Sequence, residues 1–89
     1  MKFAPGDRVR ARVIDPDHHI RLPRYVRGQV GEVVESEGEW ELPDDKARGV
    51  EPARVETVYA VRFPAADLWG DGAHTVTVDL WESYLEEAT

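Results

Sequence analysis

A chain of 89 residues, of which 42% are hydrophobic and 33% charged, has the size and composition of one soluble globular domain covering residues 1–89. It has no cysteine for a disulfide or a thiolate ligand, no apolar run of roughly 20 residues for a membrane span and no signal peptide, so we expect a cytoplasmic protein. The net charge of -7 divides unevenly, with seven basic and three acidic residues in 1–30 but four and fifteen in 31–89, which is unlike a nucleic-acid binder and favours docking on another subunit.

The alternation of apolar and polar residues predicts five short strands. They cover residues 7–14, 28–36, 40–42, 55–63 and 74–81. Gly31 suggests a bulge or a sharp bend in the second strand, and the polar sequence SEGE forms the tip that leads into the third. We expect a loop over residues 43–54, a helical turn that Gly70 closes, and a last turn in ESYLEEA.

The same alternation predicts which side chains are buried. The residues expected on buried faces are Val9, Ala11 and Val13 in the first strand, Val55, Thr57, Tyr59, Val61 and Phe63 in the fourth, and Val76, Val78 and Leu80 in the fifth. Short strands with close turn signals and little helix predict an all-β fold, a small antiparallel barrel with a long loop between strands 1 and 2. Function tends to lie in such a loop.

That loop has the sequence HHIRLPRYVRGQVG, in which three arginines stand out from an acidic chain. A solvated basic loop, a nucleic-acid site, a metal site and a site for an anionic partner are all open explanations. His18 and His19 are adjacent, so in an extended loop they point apart and are poorly placed to bind one metal. We therefore expect no metal ligands on this chain.

Other conspicuous residues have simple structural explanations. Arg8, Arg10 and Arg12 fit the solvent-exposed face of a strand, with subunit contact as the alternative. The three tryptophans fit core or interface anchors better than a ligand cage; they are Trp40, Trp69 and Trp81. Asp44 and Asp45 lack a second carboxylate at a catalytic spacing. The isolated chain is therefore poorly equipped as an enzyme.

Four segments, spread over roughly residues 3–87, carry a family resemblance. They are FAPGDRVRAR, HIRLPRYVRGQVG, VYAVRFPAADLWG and VTVDLWESYLE, and together they resemble the C-terminal barrel domain of the nitrile hydratase beta subunit. The most specific pattern is H-x-R-x-P-x-Y-x-R-G, at His19, Arg21, Pro23, Tyr25, Arg27 and Gly28. F-x-x-x-x-L-W-G and D-L-W-E-x-Y-L-E support it independently.

The resemblance implies an SH3-like barrel within a hydro-lyase that converts a nitrile and water into an amide. In that family a separate alpha subunit holds the metal, non-corrinoid cobalt(III) or non-haem iron(III), through a C-x-x-C-S-C motif and backbone amides. Two of those cysteines are oxidised, and their anionic oxygens suit the forked, permanently charged donors of arginine better than the point charge of lysine. Arg21 matches the family position that reaches them. His19, Tyr25 and Arg27 are then supporting loop residues, and Arg24 is scaffold or interface.

The sequence also departs from the family pattern, because the usual helical N-terminal half of the beta subunit does not precede Met1. We expect either a shortened form of a longer chain or a beta subunit split in two, with a separate chain supplying the helical half. Three-subunit relatives, toyocamycin nitrile hydratase and thiocyanate hydrolase, resemble the split arrangement. The alternatives are therefore a nitrile hydratase subunit, which we favour, a thiocyanate hydrolase subunit, and an accessory module for interaction or metallation.

Overall fold

The computed structural model describes residues 2–13 and 22–88. Its strands are β1 (Arg8–Ala11), β2 (Val30–Glu41), β3 (Val55–Pro64), β4 (Thr75–Trp81) and β5 (Leu85–Glu87). Its helices are α1 (Pro43–Ala47), α2 (Ala65–Trp69) and two 3-10 turns, η1 (Arg24–Val26) and η2 (Glu82–Tyr84). None of the helices in these described ranges is long and apolar enough to cross a membrane.

The five strands form one sheet in the order β4-β3-β2-β1-β5, with antiparallel pairing throughout. β4 and β5 lie at opposite edges of this sheet, although only η2 separates them along the chain. In a flat sheet four spacings of about 4.8 Å would put these edges ~19 Å apart. The four residue steps from Trp81 to Leu85 reach at most ~14 Å. The sheet must therefore curl, which confirms the predicted small all-β, barrel-like domain.

The first strand follows its predicted alternation only in part. Val9 and Ala11 are buried, whereas Arg8 and Arg10 face solvent, as expected. Val13 was expected on the buried face, but 79% of it is exposed. The strand ends at Ala11, so the alternation no longer holds two residues later. The same happens at the start of β3, where Val55 is exposed because it lies opposite Glu41 at the outer end of the sheet.

The second and third predicted strands are one continuous strand, β2, and the prediction of a separate tip at SEGE was wrong. The irregularities that the sequence suggested at Gly31 lie elsewhere, as register shifts between Val33 and Glu35 and between Ser36 and Glu39. Gly31 pairs regularly with Val9. A Cβ there would lie 2.8 Å from the Arg62 carbonyl oxygen, so glycine is required by the close approach of β3.

The chain reverses between β2 and β3 through residues 42–54, and the prediction of a pure loop there missed the short helix α1. Asp45 on this helix is 2% exposed and receives a forked pair of hydrogen bonds from Arg54, Nε to Oδ2 at 2.8 Å and Nη2 to Oδ1 at 3.1 Å. The Arg54 backbone N–H also donates to Oδ2 at 2.9 Å. Asp45 therefore has a structural role, because these hydrogen bonds close the reversal between β2 and β3.

The helical turn at PAADLWG is confirmed as α2. Gly70 ends it with φ 85° and donates its N–H to the Ala66 carbonyl at 2.9 Å. The last predicted turn is confirmed as η2, but the three-residue strand β5 that follows was missed. Three residues are too few to display an alternation.

The core lies inside the curled sheet and comes from every strand. Its largest fully buried side chains are Tyr59, Tyr84, Phe63, Leu22, Leu42, Leu80 and Leu85. The Tyr59 hydroxyl accepts hydrogen bonds from the backbone N–H groups of Lys2 at 2.9 Å and Phe3 at 3.2 Å. It donates to Glu82 Oε1 at 2.9 Å. This network attaches the N-terminal segment to η2.

Candidate functional site: the base of the long loop

The long loop after β1 is anchored at its described end, residues 22–29, which we call the loop base. Leu22 is 2% exposed and Val26 is fully buried, so two apolar side chains fix this segment to the core. Between them Pro23 leads into η1, whose Val26 N–H donates to the Pro23 carbonyl at 3.2 Å. The loop base is thus held by packing and by a local turn.

A guanidinium reinforces the loop base. Arg27 donates from both Nε, at 3.2 Å, and Nη2, at 2.9 Å, to the carbonyl oxygen of Leu22. Such forked donation fixes the peptide group better than a single flexible contact would. Because the Leu22 carbonyl belongs to the peptide bond with Pro23, the Arg27 side chain restrains the Leu22–Pro23 step at the start of the loop base.

The loop base is also attached to β1 by backbone hydrogen bonds. Gly28 donates its N–H to the Ala11 carbonyl at 2.7 Å, and Ala11 donates to Gln29 at 3.0 Å. Gly28 has φ 81°, and a Cβ there would lie 3.1 Å from Val13 Cγ2. A glycine therefore suits this crossing both for its conformation and for space.

Three aromatic rings form a surface row beside the loop base. The Tyr25 and Trp69 ring centroids lie 5.7 Å apart, and those of Trp69 and His74 lie 6.4 Å apart with near-parallel planes. Tyr25 is 44% exposed and Trp69 is 54% exposed. This aromatic row brings Tyr25 of η1 beside Trp69 at the end of α2 and His74 just before β4, two residues that follow it in the sequence by more than 40 positions.

Of the four residues predicted at the site, two can be placed. Arg21 and His19 lie outside the described residues. Tyr25 precedes the buried Val26 and belongs to the aromatic row. Arg27 follows Val26 and donates hydrogen bonds to the Leu22 carbonyl. Sequence reasoning did not single out His74, and no spacing in the sequence could have paired it with Trp69.

The described ranges offer no metal centre of their own, since no three His, Asp or Glu side chains in them lie together in a suitable arrangement. The perturbed carboxylates are elsewhere. Hydrogen bonds from the Arg54 side chain and backbone hold the pKa of Asp45 below its usual range. The pKa of Glu37 is raised mainly because its carboxyl group loses solvent, and further because the negative charges of Asp79 and Glu35 lie nearby. Neither carboxylate lies in the loop base.

The comparison with known families identifies the family of the chain. A family profile described as "Nitrile hydratase beta subunit, C-terminal" matches residues 1–87, the range that contains the loop base and both halves of the aromatic row. The chain belongs to this family. The resemblance predicted from the sequence motifs is thus confirmed.

Individual members of the nitrile hydratase family show how much of their length the chain covers. It is 45% identical over 89 residues to the nitrile hydratase subunit beta of Pseudomonas chlororaphis, a match that covers 97% of this chain and 40% of that subunit. It is 42% identical over 88 residues to the cobalt-containing nitrile hydratase subunit beta of Pseudonocardia thermophila, covering 96% and 37%. The chain therefore spans about 40% of the length of the beta subunits that it matches.

A second kind of relative matches the chain over more of its own length. The chain is 35% identical over 92 residues to the thiocyanate hydrolase subunit alpha of Thiobacillus thioparus, covering 98% of this chain and 72% of that subunit. The solved structure of the recombinant apo-enzyme of that thiocyanate hydrolase superposes with a TM-score of 0.88 at 34% identity. This match covers 98% of the chain and 76% of the other chain, which confirms the fold.

Proposed function

We propose that this chain is a subunit of a heteromeric, metal-dependent hydratase that adds water to a nitrile and releases an amide. Its own contribution is Arg21, presented by the long loop to the oxidised cysteine ligands of a separate alpha subunit that carries the C-x-x-C-S-C motif. Membership of the nitrile hydratase beta-subunit family supports the reaction class. The sequence motif around Arg21 supports the choice of this residue for that role.

The observation that carries the proposal is the forked hydrogen bond of Arg27 to the Leu22 carbonyl. It restrains the Leu22–Pro23 peptide, one residue after Arg21, within a segment that Leu22 and Val26 already anchor to the core. A residue that must meet anionic oxygens on another chain needs a fixed starting point, because each freely rotating side chain costs ordering entropy on binding. The loop base supplies that fixed point.

The metal would be held by the alpha subunit, since the described residues of this chain hold no set of ligands for it. Cobalt(III) or iron(III) would supply Lewis-acid chemistry there. Arg21 would hold the sulfur-bound oxygens through charge-assisted hydrogen bonds, fixing their orientation and neutralising part of their charge. His19 and Tyr25 would support the loop around it.

The aromatic row would contact the metal-bearing partner. Tyr25 and Trp69 are about half exposed and lie beside the loop base, so a chain that receives Arg21 would also cover them. Large rings at the centre of an interface carry a disproportionate part of the binding energy. A further chain would supply the helical half found in longer beta subunits.

A second candidate is a subunit of a thiocyanate hydrolase. The specific observation in its favour is structural: the chain superposes on the solved thiocyanate hydrolase apo-enzyme with a TM-score of 0.88 at 34% identity. The same loop base and the same role of Arg21 would serve either reaction. The substrate therefore distinguishes the two candidates, not the fold.

The test is co-expression of the full chain with a C-x-x-C-S-C alpha chain and a chain that supplies the helical half. We expect a stable complex that contains cobalt or iron and converts nitriles to amides. Thiocyanate is assayed beside an aliphatic and an aromatic nitrile, and turnover of thiocyanate alone would establish the second candidate. A chain that aids metal loading and is then absent from the active complex would contradict both candidates and indicate the accessory module.

The same complex tests the aromatic row. Trp69→Ala should weaken association with the alpha chain at least tenfold, because truncating an interface tryptophan commonly costs about 2 kcal/mol. Trp40→Ala removes a similarly exposed indole on β2, opposite the start of β3, and is the matched control. Equal affinities of the two variants would show that the row does not face the alpha chain.

A further inference from the structure

A groove of about 410 Å³ lies on the outer face of the sheet, far from the loop base. Trp40 of β2 and Trp81 of β4 line it, together with Val58 of β3 between those strands. Trp40 is 59% exposed. Val58 faces the opposite side of β3 from the buried residues Thr57 and Tyr59, yet it is only 3% exposed. We call this feature the indole groove.

Both indoles are fixed in place. The Trp40 Nε1–H donates to the Glu37 carbonyl at 2.9 Å, and the Trp81 Nε1–H donates to the Glu41 carbonyl at 3.1 Å. Trp81 also lies directly opposite Val58 in the strand register. With their polar atoms satisfied by β2, the two rings offer apolar surface that is ordered before any ligand arrives.

The surroundings of the indole groove are acidic. The carboxylates of Glu37 and Asp79 line it, and Glu35 lies opposite Ala60, which in turn lies opposite Asp79. None of these three acids forms an ion pair with a lysine or arginine of the described ranges. Their mutual repulsion contributes to the raised pKa of Glu37, and a cation bound among them would relieve it.

The residues that line this groove include three carboxylates, of Glu37, Glu41 and Asp79, and one lysine, so the lining has a net negative charge. Lys46 Nζ lies 3.9 Å from Glu41 Oε1. The groove therefore combines an apolar floor, two indoles and unpaired negative charge. That combination disfavours anionic ligands. A purely hydrocarbon ligand would leave the carboxylates without a partner.

The indole groove and the aromatic row lie toward opposite ends of β3. Trp40 pairs with Glu56 at the first turns of that strand, whereas Trp69 follows Pro64 at its end. Eight extended steps from Glu56 to Pro64 span roughly 26 Å, and the nearer edge of the groove, at Asp79 opposite Ala60, lies four steps or roughly 13 Å from Pro64. The indole groove and the aromatic row share no residue, so they are separate surfaces.

We propose that the indole groove binds an arginine side chain presented by a partner polypeptide. A guanidinium is flat and weakly hydrated, so it stacks on an indole more readily than an ammonium does, and its donors can fork toward Glu37 and Asp79. Lysine would satisfy the charge but not the stacking. The proposal is independent of the hydratase function, because it uses none of the residues of the loop base.

The probe is a short unstructured peptide with one arginine, compared with peptides in which lysine or the neutral isostere citrulline replaces it. The uniformly 15N-labelled full chain is titrated with each peptide, and amide and indole shifts are followed by NMR. We expect the Arg peptide to shift the Trp40 and Trp81 indole signals and to bind at least fivefold tighter than the citrulline peptide. Binding of the Lys peptide should fall between the two.

Variants then locate the site. Trp40→Ala and Asp79→Asn should each weaken binding of the Arg peptide several-fold. Trp69→Ala and Asp67→Asn change exposed residues of α2, which follows the other end of β3, and should leave binding unchanged. Because Trp40 and Asp79 are both exposed, well-dispersed spectra are expected from every variant. Equal binding of the Arg and citrulline peptides, unchanged binding by both groove variants, or no indole shift up to about 10 mM peptide would overturn the proposal.

Discussion

Tyr59→Phe tests whether the hydroxyl network described above stabilises the fold. The substitution keeps the ring in the core but removes an atom that receives hydrogen bonds from Lys2 and Phe3 and donates one to Glu82. The Lys2 N–H retains a second acceptor, Glu82 Oε1 at 2.9 Å, but the buried Phe3 N–H loses its acceptor.

The expected cost follows from these contacts. An unsatisfied buried donor costs ~1–3 kcal/mol, and the bond to the Glu82 carboxylate is of the stronger, charge-assisted kind. We therefore expect the free energy of unfolding to fall by about 2–3 kcal/mol, a large part of the ~4–13 kcal/mol available to a domain of this size. The melting temperature should fall by roughly 10 °C or more.

Urea denaturation followed by circular dichroism measures this change. Tyr25→Phe is the matched control, because Tyr25 is 44% exposed and should change the stability by less than about 0.5 kcal/mol. Glu82→Gln combined with Tyr59→Phe should be less destabilising than the sum of the two single changes, since both act on one network. A Tyr59→Phe variant as stable as the parent chain would refute the reasoning.

Three further predictions concern the rest of the chain. Asp45 has a pKa that is lower in the folded state than its unfolded value of about 3.9, so its stabilisation is full above that pH and is lost as the pH falls below about 4. Asp45→Asn should destabilise the chain at neutral pH and flatten this acid dependence in urea titrations; an unaltered acid limb would contradict the role of Arg54. Gly31→Ala should cost ~1–3 kcal/mol, because the new Cβ would lie 2.8 Å from the Arg62 carbonyl, and an unchanged melting temperature would disprove that contact. The purified full chain without partners should bind no stoichiometric cobalt or iron in metal analysis, and one tightly held metal per chain would contradict the assignment of the metal to the partner.

Local patterns predicted most of the strands because alternation reports burial directly. Val9, Ala11, Tyr59 and Phe63 are buried as predicted. The pattern failed at Val13, which lies beyond the end of β1, and at Val55, which lies at the outer end of the β2–β3 pair. It also failed within β3, where Val58 and Ala60 are buried although they face the opposite side from Tyr59.

Long-range geometry was not accessible from the sequence in the same way. The polar run at SEGE resembles a turn, yet it lies within β2 because β3 pairs along its length and two register shifts absorb the extra residues. Gly31 was noticed for the right reason, an unusual backbone requirement, but the requirement comes from β3 and not from a bulge. The Arg27 contact with Leu22 and the pairing of Tyr25 with Trp69 likewise depend on the folded chain.

The candidate site was predicted mainly through a family motif. Composition and spacing left several explanations open for the arginines of the loop, and the H-x-R-x-P-x-Y-x-R-G pattern chose among them. The described structure adds the packing of Leu22 and Val26 and the contact of Arg27 with Leu22, whereas the role of Arg21 stays a prediction. The position of Arg21 relative to a partner depends on an assembly and cannot follow from one chain.

The most direct test of the proposed function compares Arg21→Lys with Arg24→Lys in the reconstituted complex. Both variants keep the charge of the loop, but only the first would lose forked donation to the oxidised sulfur ligands. Losing one charge-assisted hydrogen bond costs ~1.5–3 kcal/mol, or roughly one to two decades in rate if it is felt in the transition state. Turnover is measured at equal metal content, with the metal-to-sulfur absorption band recorded for each variant. We predict that Arg21→Lys keeps the band and loses at least about tenfold in turnover while Arg24→Lys stays near the parent complex; equal turnover of the two variants would remove Arg21 from the active site.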